Sequence, residues 1–332
     1  MAHLTYLVTG GAGFIGSHLC DALVGDGHTV RVLDDLSTGK RANLPAGVEL
    51  IEGDIADPAA VEAAVAGVDG CFHLAAIASV ARGVGDWLGT HRANLTGTIT
   101  LFDELRRQPR PVPVVYASSA AVYGDCADLP IAETATKRPL SAYGADKYSC
   151  ELHAVVASHV HNVPTVGLRF FNVYGPRQDP RSPYSGVISI FCERLRRGAP
   201  VEVFGDGLQT RDFIAVADVV AALRAAQGMV QKEVAQRDAR GDPHADAPAR
   251  RPLDAPVFNV CTGIAISITE LAHTIAELVG TPAEIHHAPP RTGEIRHSVG
   301  APDLSRRTLG LAPPVALRDG LRRVLDWLGP PG

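Results

Sequence analysis

Tyr143 and Lys147 are separated by three residues, a spacing that puts two side chains on the same face of a helix. A free phenol is a weak base near neutral pH, and a neighbouring ammonium group favours its ionised form. Upstream, Ser118 and Ser119 follow the apolar run at 112–116. These residues predict acid–base chemistry at a hydroxyl group, with Tyr143 as the base, Lys147 tuning it and Ser119 holding the substrate oxygen.

A glycine-rich turn lies near the N-terminus. Residues 10–16 read Gly-Gly-Ala-Gly-Phe-Ile-Gly and stand between an apolar run at Thr5–Thr9 and a helical pattern. Glycines there permit a tight turn and bring backbone N–H groups close to a pyrophosphate, while the helix N-terminus favours the anion. The strand–turn–helix context is the one that the motif requires. The turn therefore predicts a dinucleotide site formed by Gly10, Gly13, Phe14, Ile15 and Gly16.

Two acidic residues follow the next strands. Asp34 comes after the run at 29–33, where a carboxylate can bind the adenosine ribose hydroxyls and repels a 2′-phosphate, so we expect NAD rather than NADP. The other interpretation of Asp34 is a polar residue in a strand-end turn. Asp54 and Ile55 follow the third strand and are candidates for holding the adenine. A glycine cluster alone, or a Tyr-x-x-x-Lys pair alone, is usually an ordinary turn or an exposed helix, and their combination favours the catalytic interpretation.

Short β-branched runs alternate with helical patterns through the first half of the chain, which predicts βαβ units. The expected fold class is α/β: a Rossmann-type, doubly wound parallel sheet with a smaller C-terminal α/β domain. We expect the dinucleotide-binding domain at 1–172, with chain exchange later in the sequence, and the second domain mainly at 173–330. The predicted strands are 5–9, 29–33, 48–51, 71–75, 112–116, 167–171, 201–204 and 257–260, and the predicted helices include 59–66, 91–107 and 187–197.

Two features of the C-terminal half refine this division. Residues 229–254 are polar, contain several prolines and lack periodicity, so we predict a mobile loop there. Ser267-x-x-Glu270 before an apolar pattern predicts the start of a helix with a capping box.

Composition excludes several functional classes. The 332 residues carry 31 Lys and Arg against 36 Asp and Glu, a net charge of −5, which argues against nucleic-acid binding. No apolar stretch approaches the roughly 18 residues of a membrane helix, and the N-terminus lacks the pattern of a signal peptide. The six cysteines form no C-x-x-C pair, so we expect reduced thiols, no metal site and a cytoplasmic protein. We interpret His73 as a core residue and His286-His287 as part of a solvated loop.

Taken together, the glycine turn, Ser118-Ser119 and Tyr143-x-x-x-Lys147 resemble the extended short-chain dehydrogenases/reductases. The resemblance runs from about Leu4 to about Leu328 and includes three further segments, 169–176, 205–207 and 211–213. Within this group the chain looks most like the UDP-sugar 4-epimerases. That resemblance implies an NAD-dependent enzyme whose Rossmann domain holds the cofactor and whose smaller domain binds the UDP-sugar.

The resemblance also implies a reaction. Tyr143 removes the proton of the sugar 4-OH while C4 gives a hydride to NAD, and the 4-keto intermediate takes the hydride back on its opposite face. Ala120 and Ala121 stand where sugar-nucleotide dehydratases carry an Asp-Glu pair, so elimination of water is disfavoured. Two alternatives remain open: another nucleotide-sugar oxidoreductase or dehydratase of the same family, and a non-catalytic NAD-binding protein.

Further contacts are assigned by matching motifs, residue by residue. Asn172, Arg211 and Arg291 match residues that hold the diphosphate, although a lone arginine is more often a surface ion-pair partner. Glu294 matches an acidic residue near the ribose. The other implied contacts are Val203 and Phe204 with the uracil, and Leu74, Ala75, Ala76, Asn94, Tyr143, Lys147 and Phe171 with the cofactor.

Ser298 bears on the size of the sugar. It stands where narrow epimerases carry a bulky tyrosine, so the resemblance implies room for the N-acetyl group of UDP-GlcNAc and UDP-GalNAc, besides UDP-glucose and UDP-galactose. An ordinary loop serine is the competing interpretation. Ser79 is a second expected sugar contact.

A homodimer is implied as well, because the family pairs the helix at 91–107 with the helix that starts at Tyr143. Leu95, Ile99, Phe102 and Leu105 form an apolar stripe on the first of these helices. Such a stripe faces its own core more often than a partner.

Overall fold

The computed structural model describes residues 3–78, 80–180, 186–239, 255–290 and 295–330. The chain divides into two compact units, each built from three segments. The first unit comprises Met1–Ser119, Ser141–Arg169 and Val220–Phe258, and the second comprises Ala120–Leu140, Phe170–Val219 and Asn259–Gly332. Residues 120–140, which we expected in the first domain, therefore belong to the second unit.

The strands in chain order are β1 (Thr5–Thr9), β2 (Thr29–Asp34), β3 (Glu49–Glu52), β4 (Gly70–His73), β5 (Val114–Ser119), β6 (Thr165–Phe170), β7 (Asn172–Tyr174), β8 (Val201–Phe204), β9 (Thr210–Arg211), β10 (Phe213–Ala215), β11 (Val257–Val260), β12 (Ile266–Ser267), β13 (Ile285–Ala288) and β14 (His297–Ser298). The helices are α1 (Phe14–Gly25), α2 (Pro58–Val65), α3 (Val80–Gly85), α4 (Trp87–His91), α5 (Gly97–Leu105), α6 (Ala142–His161), α7 (Val187–Arg196), α8 (Val216–Ala239), α9 (Ile268–Val279), α10 (Asp303–Leu309) and α11 (Leu317–Leu328).

A seven-stranded sheet forms the centre of the first unit. Its strand order is β11-β6-β5-β4-β1-β2-β3, and the pairs β1–β2, β1–β4, β2–β3 and β4–β5 are parallel. All four residues of β4 and all six of β6 are buried, the pattern of strands covered by helices on both faces. Because β1 lies between β2 and β4, the strand order reverses at β1, and ligands bind at such a reversal. The predicted Rossmann-type sheet is confirmed.

The end of β5 differs from its prediction. We expected the strand to end at Tyr116, but it continues to Ser119, so both serines lie within it. The run of large apolar residues ends at Tyr116. The strand continues into the interior because the Ser118 hydroxyl donates a hydrogen bond to the Glu151 carboxylate there. A buried polar residue with a partner is compatible with a strand and gives no apolar signal.

The helix predicted at 91–107 is interrupted. A π-helical turn, Arg92–Thr96, separates α4 from α5. Asn94 lies in this turn, and its side-chain amide accepts from Ile77 N–H at 2.7 Å and donates to Ile77 C=O at 3.2 Å. Hydrophobic spacing does not show an inserted residue of this kind, which is common at functional sites.

The loop predicted at 229–254 is wrong for its first part. Helix α8 extends to Ala239, and residues 240–254 lie outside the described residues. This part of α8 has no apolar stripe and makes polar contacts with the rest of the first unit instead. Gln231 Nε2 donates to Tyr6 Oη at 3.1 Å. The segment is rich in lysine, glutamate, glutamine and alanine. These residues favour a helix by their intrinsic propensity, even where no apolar periodicity indicates one.

The second unit consists of small sheets and helices around its own core. Strands β10 and β7 pair in parallel, as do β13 and β8, while β9 pairs with both β12 and β14. Helices α7, α9 and α11 pack around the buried residues Phe191, Leu271 and Leu321. The predicted cap of α9 is confirmed, because Ser267 Oγ accepts from Glu270 N–H at 3.1 Å.

Among the residues that the structure describes, no helix has the length and apolar character that a membrane crossing needs. The same residues include no cluster of three His, Cys, Asp or Glu side chains placed to hold a metal ion.

Candidate functional site

Helix α6 carries the predicted catalytic pair, Tyr143 and Lys147. Ser141 caps the helix by accepting from Gly144 N–H at 3.1 Å, so Tyr143 lies in the first turn and Lys147 in the next. The Lys147 ammonium nitrogen lies 5.9 Å from the centroid of the Tyr143 ring. The two side chains therefore share a face, at a distance where a cation stabilises an aromatic ring.

Lys147 is only 2% exposed. Its ammonium group donates to the carbonyl of Ala117 in β5 at 2.9 Å. Ala117 is two residues from Ser119, the half-buried last residue of the strand. The structure thus brings Lys147 and its helix to the carboxyl end of β5, the edge of a parallel sheet where ligands bind.

The glycine turn is built for close backbone approach. Gly10 has φ of 70°, and a Cβ there would lie 2.7 Å from Ala75 N. A Cβ on Gly16 would lie 2.7 Å from Gly11 Cα. Gly13 is the N-cap residue of α1, and as a glycine it has no side chain to bond the N–H groups at the helix start. Uncapped N–H groups at a helix N-terminus fit the pyrophosphate of a dinucleotide.

Asp34 at the end of β2 is buried. One carboxylate oxygen accepts from Ala12 N–H and the other from Leu36 N–H, both at 2.9 Å. Burial raises the pKa of this carboxyl group, and the two backbone donors act against that shift. A carboxylate has about four acceptor sites, so the group can hold the glycine turn and still accept from ribose hydroxyls.

The candidate adenine contacts have other partners too. Asp54 pairs with Arg92 at 2.5 Å and accepts from Ala56 N–H at 2.8 Å. Ile55 is buried in the core of the first unit. Its side chain packs where Gly97 lacks a Cβ.

The segment after β4, residues 74–77, is hydrogen-bonded to β1 on one side and to the π-helical turn on the other. Leu74 N–H donates to Thr9 C=O at 3.1 Å, and Ala75 N–H donates to the Thr9 hydroxyl at 3.2 Å. Beyond Ala76, Asn94 bonds both peptide groups of Ile77 from a fully buried position. The Asn94 side chain therefore supports this segment, and its expected contact with the cofactor stays a prediction.

His73 lies in the core and links β1 to α5, in agreement with its interpretation from sequence. Its Nδ1 lies 2.8 Å from the Thr9 hydroxyl and its Nε2 lies 2.9 Å from the Thr98 hydroxyl. Because Thr98 donates its own proton to Asn94 C=O at 2.6 Å, it accepts from Nε2–H. Burial, with the nearby charge of Lys147, lowers the pKa of His73 to about 3, so the ring is neutral.

In the second unit, Arg211 and Ser298 are direct neighbours in the β9–β14 register. Asp212, next to Arg211, anchors this strand by accepting from Thr262 N–H at 2.7 Å and Gly263 N–H at 2.8 Å. Two candidate substrate residues that lie 87 positions apart in sequence thus meet in one small sheet.

The remaining candidates differ in how they are placed. Phe204 is half-buried at the end of β8 and Asn172 is exposed at the start of β7. Val203 packs in the core of the second unit, so its side chain does not line a surface. Phe171 is also buried, against the position where Gly300 lacks a Cβ. Three expected substrate contacts lie outside the described residues: Ser79, Arg291 and Glu294.

Glu151 and Arg169, for which the sequence predicts no role, form a buried ion pair that links α6 to β6. Glu151 follows Lys147 by four residues, so helical spacing alone places it on the same face.

Comparisons with known proteins agree with this geometry. The model of the NAD dependent epimerase/dehydratase family matches residues 6–238. The chain is 36% identical over 332 residues to a UDP-glucose 4-epimerase of Mycolicibacterium smegmatis, with 97% of each chain covered.

Solved structures of similar proteins extend the comparison. The structure of Thermus thermophilus UDP-glucose 4-epimerase with NAD is 34% identical, has a TM-score of 0.84, and aligns over 98% of this chain and 99% of that one. A UDP-N-acetylglucosamine 4-epimerase from Methanobrevibacter ruminantium, in complex with UDP-N-acetylmuramic acid, is 31% identical with a TM-score of 0.87 and 99% of each chain covered.

Gly10→Ala should abolish retention of the dinucleotide. The new methyl group would meet the Ala75 backbone and displace the turn, in addition to the strain of φ 70°. Gly27→Ala is the matched control, because Gly27 has φ of 82° with open space around it. Both variants are purified, and NAD per chain is measured by absorbance after denaturation. Full NAD content in Gly10→Ala, at native thermal stability, would contradict the role of the turn.

Proposed function

This chain belongs to the NAD dependent epimerase/dehydratase family and is an NAD-dependent UDP-sugar 4-epimerase, and we propose that Tyr143, Lys147 and Ser119 carry its reaction. The observation that supports this assignment is the buried Lys147 ammonium, bonded to Ala117 in β5 and 5.9 Å from the Tyr143 ring. That arrangement places a fixed positive charge beside a phenol at the edge of the sheet.

In this proposal, the phenolate of Tyr143 takes the proton of the sugar 4-OH and later returns it to the 4-oxygen. The Lys147 ammonium stabilises the phenolate, because an opposite charge nearby favours the ionised form. Ser119 donates a hydrogen bond to the 4-oxygen and keeps it in reach of Tyr143. NAD supplies the redox chemistry when bound, by accepting and returning the hydride at C4.

The cofactor is NAD, and the first unit has the groups to hold it. We assign the pyrophosphate to the turn at Gly10, Gly13 and Gly16 with the N–H groups of Phe14 and Ile15, and the adenosine ribose to Asp34. A buried carboxylate beside the ribose disfavours the additional phosphate of NADP.

The substrate is a UDP-sugar, and we assign its nucleotide to the second unit. Arg211 and Asn172 are the proposed diphosphate contacts, since a guanidinium fork suits phosphate oxygens. Phe204 is the proposed uracil contact. Arg291, Glu294 and Ser79 keep their proposed roles with the diphosphate, ribose and sugar on motif matching alone.

A cytoplasmic location is part of the proposal. The six cysteines are thiols that form no disulfide bonds, and five of them are buried. Reduced thiols of this kind are typical of a reducing compartment.

Tyr143→Phe should lower the kcat of epimerisation by about 10²- to 10⁴-fold, because it removes the group that moves the proton. Tyr148→Phe is the control, since Tyr148 lies on the same helix outside the proposed machinery. Both variants are assayed without added NAD, and C4 epimers are separated by chromatography. NAD content should stay unchanged in both. Wild-type turnover by Tyr143→Phe would show that another group is the base.

We propose that the enzyme converts UDP-GlcNAc as well as UDP-glucose, because Ser298 leaves space beside the sugar. The similarity to the UDP-N-acetylglucosamine 4-epimerase of Methanobrevibacter ruminantium supports this. Ser298→Tyr should reduce kcat/KM for UDP-GlcNAc by at least about 10-fold, with a smaller change for UDP-glucose, which serves as the internal control. A wild-type enzyme that converts only UDP-glucose would disprove the broad specificity.

We also propose a homodimer in which α6 and α5 pack against a second copy. Leu152, Val156 and Val160 on α6 and Ile99 on α5 are exposed apolar residues. Of the expected stripe on α5, Phe102 and Leu105 are instead buried in the core. Exposed apolar patches of this kind mark interaction sites, and the partner is a second copy because the family resemblance pairs these two helices.

Val156→Glu with Val160→Glu should convert the dimer to a monomer in light scattering coupled to size-exclusion chromatography. The charges would be buried without partners in the proposed interface. Val84→Glu is the control, as Val84 is 85% exposed on α3. A double variant that elutes as a dimer, or a monomeric wild type, would exclude this interface.

A further inference from the structure

We propose that Glu151 is a positioning residue for epimerisation: paired with Arg169, it fixes α6 against the end of β5. The inference rests on the proposed roles of Tyr143, Lys147 and Ser119. It assigns a function to a buried ion pair that the proposed catalytic, cofactor and substrate roles do not include.

The pair has the geometry of a directional clamp. Arg169 Nε donates to Glu151 Oε1 at 2.8 Å and Arg169 Nη2 donates to Oε2 at 2.7 Å. The Ser118 hydroxyl donates to the same Oε1 at 2.5 Å. All three residues are buried. A two-pronged guanidinium–carboxylate contact fixes orientation as well as distance.

Three elements meet at this clamp. Glu151 belongs to α6, Ser118 to β5 and Arg169 to β6. Apolar packing between a helix and a sheet allows small shifts along the helix axis, because it has no preferred direction. Charge-assisted hydrogen bonds to two strands remove that freedom.

Glu151 lies on the same face of α6 as the proposed catalytic residues Tyr143 and Lys147. Tyr143, Lys147 and Glu151 are spaced by four, so they occupy successive turns of one helical face. Lys147 bonds Ala117 and Glu151 bonds Ser118, so successive turns of α6 hold successive residues of β5. The next strand residue is Ser119. A shift of α6 would therefore change the distance between Tyr143 and Ser119.

Stability alone does not account for a buried pair of charges. Replacing such a pair by well-packed apolar residues is often neutral or stabilising, because desolvation of the ions is costly. The ion pair can instead contribute precise positioning, since a displacement of about 1 Å at an active site can lower the rate about 100-fold. The location of the clamp, one turn from Lys147 and one residue from Ser119, fits the second explanation.

The test separates position from stability by removing both charges together. Glu151→Leu with Arg169→Met leaves no unpaired ion, so the variant should fold, with a melting temperature lowered mainly by the loss of the Ser118–Glu151 hydrogen bond. Its kcat should fall roughly 10- to 100-fold, while KM and NAD content stay within about 2-fold. Wild-type kcat in this folded double variant would overturn the proposal.

A matched control uses another buried carboxylate. Glu104 is buried in α5 and pairs at 2.6 Å with Arg107, which lies two residues past the end of that helix. Glu104→Leu with Arg107→Met removes a pair that does not join α6 to β5, so kcat should be retained. An equal loss of kcat in this control would overturn the specific role of Glu151.

Ser118→Ala gives a second measurement should the double variant fail to fold. It removes only the bond from β5 to Glu151, and kcat should fall several-fold at unchanged KM. An unchanged kcat would overturn the proposal. Tyr143→Phe is assayed in parallel: its wild-type turnover would refute the proposed base, whereas its inactivity beside a fully active Ser118→Ala refutes only the clamp.

Discussion

The hydrogen bond from the Lys147 ammonium to the Ala117 carbonyl is the contact on which the arrangement of the site depends. A buried ammonium is unfavourable unless acceptors or negative charge compensate it, so the Ala117 carbonyl that accepts from Lys147 constrains where α6 can lie. Burial, with a smaller contribution from the same charge, lowers the pKa of His73 and keeps its ring neutral. A neutral His73 can accept from Thr9 and donate to Thr98, which joins β1 to α5. One cation thereby influences both the helix of Tyr143 and the strand that precedes the glycine turn.

The glycine turn and Asp34 form a second interdependent set. Gly10 provides the backbone conformation, and Asp34 fixes the turn through Ala12. The hydroxyl of Thr9, the residue before the turn, accepts a hydrogen bond from the N–H of Ala75, which follows the neighbouring strand β4. The surface offered to the cofactor is consequently built from hydrogen bonds within the first unit. A preformed site of this kind lowers the entropic cost of binding.

The sequence was informative where chemistry follows a local pattern. The turn at 10–16, the Tyr143–Lys147 spacing and the Ser267 cap are local, and the structure has them in the expected elements. The end of β5, the π-helical turn and the last part of α8 depend on distant polar partners: Glu151, Ile77 and Tyr6. Such partners leave no periodic apolar signal, so neither hydrophobic spacing nor turn propensity could find them. The pairing of Arg211 with Ser298 likewise required the fold.

The proposed ribose contact of Asp34, added to its bonds with the backbone, constrains how the cofactor preference of this enzyme could evolve. A change to NADP in related folds calls for loss of the acidic residue beside the ribose. Here the same carboxylate holds the backbone of Ala12 and Leu36 from a buried position. Loss of the carboxylate would leave two backbone donors without their acceptor, the buried Ala12 N–H and the partly buried Leu36 N–H. Cofactor preference and the structure of the glycine turn therefore depend on the same side chain. A lineage could change its cofactor preference only together with substitutions that restore the hydrogen bonds of the turn.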